Sequence, residues 1–120
     1  MKRVEVKFDK EAFDEYKKLE NLVSIKAKRN YPSYSQLFES INKKLEILRK
    51  NPFYGDLIPR RNIPKDTSKF FGTEKIFRIE LVGFWRLLYT LVGDEAKIIA
   101  FILEFSDHKR YDRLFRYKRK

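Results

Sequence analysis

Residues 97–105, KIIAFILEF, form an almost unbroken apolar run in a chain of which 38% is charged. The run is far short of the roughly 20 apolar residues that cross a bilayer. A strand with one wet face alternates, whereas a continuous short run is expected of a central strand. The run therefore predicts a sheet, with these residues inside it.

The preceding segments agree. EKIFRIELV alternates Phe77, Ile79 and Leu81 against Arg78 and Glu80. Gly83 punctuates, and FWRLLYTLV puts Trp85, Leu87, Tyr89 and Leu91 on one side. Gly93 and Asp94 form the next turn signal. These three runs predict an antiparallel meander. Near the start, RVEVKF alternates Val4, Val6 and Phe8 with charges, which predicts a fourth strand. Asp9 can cap a helix over residues 10–29, with Phe13, Tyr16, Leu19, Leu22 or Val23, and the stem of Lys26 at helical spacing. NYPSYS then breaks the pattern at Pro32, and Ser33 or Ser35 can cap a second helix over 34–51. Its stripe is Leu37, Ile41, Leu45 and Leu48, widened by Phe38 and Ile47. Residues 51–72 hold Pro52, Pro59, Pro64, Gly55 and Gly72 and read as a long loop, a frequent place for binding elements. The expected class is α+β: an N-terminal strand, a two-helix antiparallel hairpin and a three-stranded antiparallel meander. Together they make a four-stranded sheet with helices on one face. Residues 1–116 form one domain. Residues 117–120 are a basic tail and a candidate for disorder, while Leu114 and Phe115 before it are apolar enough to dock.

Composition narrows the chemistry. The chain has no cysteine and one histidine, which excludes disulfides, thiolate metal sites and a cysteine nucleophile. A metal site built on several histidines is excluded too, and no cofactor is expected. The segment MKRVEVKF lacks the apolar core of a signal peptide, so a cytoplasmic location is expected and no membrane partner. Lysine and arginine outnumber acids 28 to 17, for a net charge of +11. Such a charge favours nucleic acid or an acidic protein as partner.

Strand parity then gathers a candidate site. Arg78 and Glu80 share one side of their strand, opposite Phe77, Ile79 and Leu81. Arg86 lies opposite Leu87 and Tyr89 by the same rule. If the helices cover the apolar side, the other side is open and holds both arginines and the carboxylate. His108 follows the last strand, and parity alone does not place it. This residue set suits RNA cleavage without a metal. Glu80 or His108 can take the 2′-hydroxyl proton, arginines can stabilise the charge growing at phosphorus, and a second acid can protonate the leaving 5′-oxygen. Taken singly, Arg78 and Glu80 also read as neighbours on a solvated face, and His108 as ordinary surface.

The stretch FRIELVGFWRLLYTLVGDEAKIIAFILEFSDHKRYDRLF resembles the C-terminal half of RelE/ParE-superfamily toxins of type II toxin–antitoxin systems. The resemblance rests on Arg78, on GFWRLLY at 83–89 with one extra residue after Gly83, on the acidic turn GDE and on SDHKRY. Upstream, LRKNPFYGDLIP is similar to the family's pattern at the end of its second helix. The resemblance implies a RelE-like fold with RNA on the face away from the helical hairpin. It implies a ribosome-dependent endoribonuclease acting on mRNA, and a cognate acidic antitoxin. It assigns phosphate binding to Arg86, the basic position of the preceding strand to Arg78, and the C-terminal basic pair to His108 and Lys109. Tyr111 takes the place of a tyrosine that stacks on a base or guides the attacking group, with Tyr117 as an outside candidate. Glu80 stands where some members have lysine. With these catalytic candidates, Arg60, Arg61, Lys65, Lys109, Arg110 and Arg113 are the candidate RNA-binding residues.

Two other readings stay open at this level. One is a ParE-like toxin that inhibits a topoisomerase and cuts no RNA. The other is a non-catalytic basic module that binds RNA or protein on the same fold. The sequence leaves oligomeric state open.

Overall fold

A computed structural model describes residues 2–24 and 32–115. Four expectations fall outside them: the helical turn expected over 25–29, the stem of Lys26, Tyr117, and the tail 117–120. The described chain runs β1 (Arg3–Phe8), α1 (Lys10–Leu22), α2 (Pro32–Lys50), β2 (Asp56–Leu57), α3 (Lys65–Phe71), β3 (Phe77–Glu80), β4 (Arg86–Gly93), β5 (Lys97–Ser106) and α4 (His108–Leu114). No helix among the described residues is long and apolar enough to cross a membrane.

The strands form one sheet in the order β1-β5-β4-β3-β2. The meander β3-β4-β5 is antiparallel, and β1 joins β5 in parallel along Arg3–Phe8. The apolar run is thus interior, as expected. The sheet has five strands rather than four, because Asp56 and Leu57 pair with Arg78 and Phe77 at the far edge. Two paired residues leave no alternation for a sequence pattern to register.

One face carries the main core. Leu37, Ile41, Leu45 and Leu48 of α2 are all buried there, as their stripe predicts, against Ile79, Leu81, Leu87, Tyr89, Ala100 and Ile102. From α1 the buried contact is Ala12, with Tyr16 and Leu19 beside it, while Phe13 is exposed and edges onto Phe8. Tyr16 ties the two helices by donating to Asn42 Oδ1 at 2.6 Å and packing on Phe38. Asp9 caps α1 as expected, accepting from the backbone of Glu11. The second helix starts at Pro32, so neither Ser33 nor Ser35 is its cap and both lie in its first turn. Proline fits there because the first helical position has no intrahelical use for an N–H.

The other face is not open. Ile58, Ile76, Leu88, Leu103, Tyr111, Leu114 and Phe115 form a second core, with Ile63, Phe71 and Phe101 beside it. Helices therefore lie on both faces, and the continuity of the 97–105 run follows from that. The segment read as a loop supplies part of the cover. After Pro64, residues 65–71 form α3, which Gly72 ends in the left-handed conformation (φ 74°) that glycine adopts without strain. Thr67 of α3 donates to the carbonyl of Leu114 in α4, and Thr90 of β4 donates to Lys75 O at 2.6 Å. Leu114 and Phe115 dock, as their composition suggests.

Candidate functional site

The site is positioned by an irregularity in β5. The register between β4 and β5 shifts at Leu88/Tyr89: Leu88 opposes Glu104, while Tyr89 opposes Ile102. Leu103 is the extra residue. Ala100, Ile102 and Phe105 all belong to the main core, so two residues separate the last two of them. Strict alternation from Ala100 and Ile102 would have aimed Glu104 into that core. The bulge turns it to the second face instead.

There Glu104 accepts from Ser106 Oγ and takes Arg110 in a two-pronged ion pair, Nε at 2.8 Å and Nη2 at 2.9 Å. The carboxylate raises the Arg110 guanidinium above its ordinary pKa. The same guanidinium lies 5.5 Å from the Phe70 ring of α3. Asp107 caps α4 through the backbone N–H of Arg110. These contacts fix α4 across the sheet and place the next residue, Tyr111, under two arginines.

Tyr111 is 2% exposed. Arg78 Nη1 donates to its hydroxyl at 2.7 Å, and the Arg86 guanidinium lies 4.8 Å from its ring centroid. Phe115 packs on the ring at 4.9 Å. A ring so enclosed has no face free for a nucleobase. Its role in this geometry is to hold the two guanidiniums together, through the phenol oxygen and the negative face of the ring. The base-stacking role expected from the resemblance thus does not fit Tyr111.

Arg86 is anchored at one nitrogen, with Nη1 donating to Phe84 O at 2.8 Å. Glu80 faces it across the β3–β4 pair, with Oε2 3.8 Å from Nε. That carboxylate is 70% exposed, so the pairing is weak and easily displaced. The Arg86 Nε–H is buried and has no hydrogen-bond partner among the described residues. A cationic donor left unsatisfied in this way is suited to an incoming anion.

His108 opens α4 and is exposed. It precedes Tyr111 by three residues, which puts the two on one side of the helix. Its ring meets the Phe84 ring at 6.2 Å, edge to face. The structure therefore brings His108 to the end of the site where Phe84 holds Arg86. Of the expected catalytic set, Arg78, Arg86 and Tyr111 are in contact, Glu80 stands loosely at the edge, and His108 stands at the rim.

The expected RNA-binding residues separate into two groups. Lys109 and Arg113 are exposed on α4, while Arg110 between them is drawn inward by Glu104. These three line a cleft of about 690 Å³ with Phe70, Trp85 and Ser106. Arg60 and Arg61 lie on a short 3-10 turn, Arg60–Asn62, and Lys65 opens α3. Arg60 is paired with Glu74 at 2.8 Å.

Two residues of this region escaped the sequence reading. Glu104 was legible in principle, as the one charge interrupting an apolar run. Phe84 is the extra residue of the GFWRLLY motif. Its φ is +65°, which costs a residue other than glycine about 1–2 kcal/mol.

The architecture, a meander joined by a parallel N-terminal strand and packed under a helical pair, is shared with a solved toxin structure. The particular likeness is to a YoeB/ParE toxin from Agrobacterium tumefaciens, with a TM-score of 0.55 at 14% identity, covering 87% of this chain and 98% of that one. At that identity the shared property is the fold. No family model matches the chain, and no curated protein does.

Proposed function

We propose that this chain is the toxin of a type II toxin–antitoxin pair, a ribosome-dependent endoribonuclease that cuts mRNA without a metal. The observation that carries this reading is the pair of guanidiniums assembled on one buried tyrosine, with a buried Arg86 donor awaiting an acceptor. Arg86 and Arg78 bind the scissile phosphate and offset the charge that builds on its oxygens. The 2′-hydroxyl attacks phosphorus as the bond to the 5′-oxygen breaks. Glu80 or His108 accepts the 2′-proton, and the other donates a proton to the leaving 5′-oxygen. The products are a 2′,3′-cyclic phosphate and a free 5′-hydroxyl. Tyr111 is a positioning residue in this scheme.

A net charge of +11 supports the partners: mRNA and ribosome as targets, and an acidic antitoxin as inhibitor. Expression without a partner is expected to arrest growth, and Arg86→Ala to relieve the arrest. Loss of translated mRNA supports the reading. A DNA-damage response with intact mRNA favours topoisomerase inhibition, and RNA binding without arrest or cleavage favours a non-catalytic module.

A further inference from the structure

Phe84 is the most exposed large apolar side chain among the described residues, at 73%. It lies in a three-residue loop closed by Leu81 N–H donating to Trp85 O at 2.8 Å. Gly83 in that loop has φ +70°, and Phe84 follows at +65°. Glycine accounts for the first value but not for the second. A bulky residue held in the left-handed region is a genuine outlier, and such strain concentrates at functional sites. Here it has two visible consequences. It accompanies a Phe84 carbonyl that accepts from the Arg86 guanidinium, and a ring standing in solvent beside the ring of His108.

Solvent gives an apolar ring no reason to be there, and burial is what would stabilise it. What the loop does offer is a flat aromatic face one short step from a phosphate-binding arginine. Single-stranded nucleic acid is held by that combination, a cationic contact to the backbone and an aromatic surface for the adjoining base. Tyr111, enclosed as it is, does not supply such a surface.

We infer that Phe84 is the stacking platform for the nucleobase next to the phosphate that Arg86 binds, with His108 bordering the same base. This rests on the proposed RNA-cleaving function and adds to it the residue that grips the base. Stacking does not read base identity closely, so the contact contributes grip and register more than sequence choice.

The test uses ribosomes programmed with an mRNA that carries 2-aminopurine in the A-site codon and 2′-O-methyl groups that block cleavage. Wild-type protein is expected to quench the fluorophore at one codon position. Phe84→Leu keeps an apolar side chain without a ring and is expected to abolish quenching and weaken binding roughly tenfold. Phe84→Trp is expected to retain both. Phe84→Gly removes the ring and the strain together, so its Tm should equal or exceed that of wild type while quenching is lost, a combination that a merely structural role would not give. Unmodified mRNA is assayed in parallel. If wild type cleaves it and Phe84→Leu still quenches as wild type does, the stacking inference is overturned and the nuclease reading stands. If wild type does not cleave it, the nuclease reading falls and takes this inference with it.

Discussion

At the scale of single residues, two buried tyrosines organise opposite faces of the sheet. Tyr111 gathers the guanidiniums. Tyr89, fully buried in the main core, donates to Pro52 O at 2.8 Å and accepts from Gly55 N–H at 2.9 Å. Gly55 permits this approach, since a Cβ there would stand 2.8 Å from the Tyr89 ring. Tyr89→Phe leaves two backbone groups unmatched and should cost about 1–3 kcal/mol in denaturant unfolding. Burial also raises the Tyr89 hydroxyl above its ordinary pKa of 10.0. The native state therefore holds this proton more tightly than the unfolded chain does. Its contribution is complete below pH 10.0 and is lost as pH rises through the higher folded value. The loss of stability above pH 10 should accordingly be shallower in Tyr89→Phe than in wild type.

At the scale of elements, the decisive joint is the β5 bulge with the Glu104–Arg110 clamp. Glu104→Gln removes one partner of a partly buried ion pair, so a stability loss of about 1–2 kcal/mol is expected by chemical denaturation. Activity should fall by more than stability accounts for, because α4 carries both Tyr111 and His108. This joint also marks where the sequence stopped being informative. Alternation in residues 77–81 and 85–91 placed Arg78, Glu80 and Arg86 on one face correctly, because those strands have unbroken period. The α2 stripe was equally plain. Parity failed at Leu103, since a bulge inserts one residue without changing composition. It therefore could not tell where Glu104, and hence α4 and Tyr111, would point. The two-residue β2 and the seven-residue α3 were too short to register a period, although Pro64 and Gly72 do bracket α3.

At the scale of the molecule, the sheet is covered on both sides, and the arginine site stands over the smaller core. Leu88 is fully buried beneath it. Leu88→Ala should cost about 2–5 kcal/mol, as for a leucine in a packed interior. A face open to solvent would lose little, so thermal or denaturant unfolding separates the two architectures. The layout also explains how a chain this basic keeps its cations available. Arg60 is matched closely by Glu74, whereas the Arg86 guanidinium, 3.8 Å from the exposed Glu80 carboxylate, is also held by a backbone carbonyl and the Tyr111 ring. Support from neutral groups holds a guanidinium in place without cancelling its charge, which favours an anionic ligand.

The most direct test of that arrangement is end-group mapping of mRNA recovered from programmed ribosomes after incubation with wild-type protein or Arg86→Ala. Wild type should leave fragments ending in a 2′,3′-cyclic phosphate, and Arg86→Ala should reduce their rate of formation about 100-fold or more. Equal cleavage by the two proteins, or no cyclic phosphate from wild type, would contradict the account.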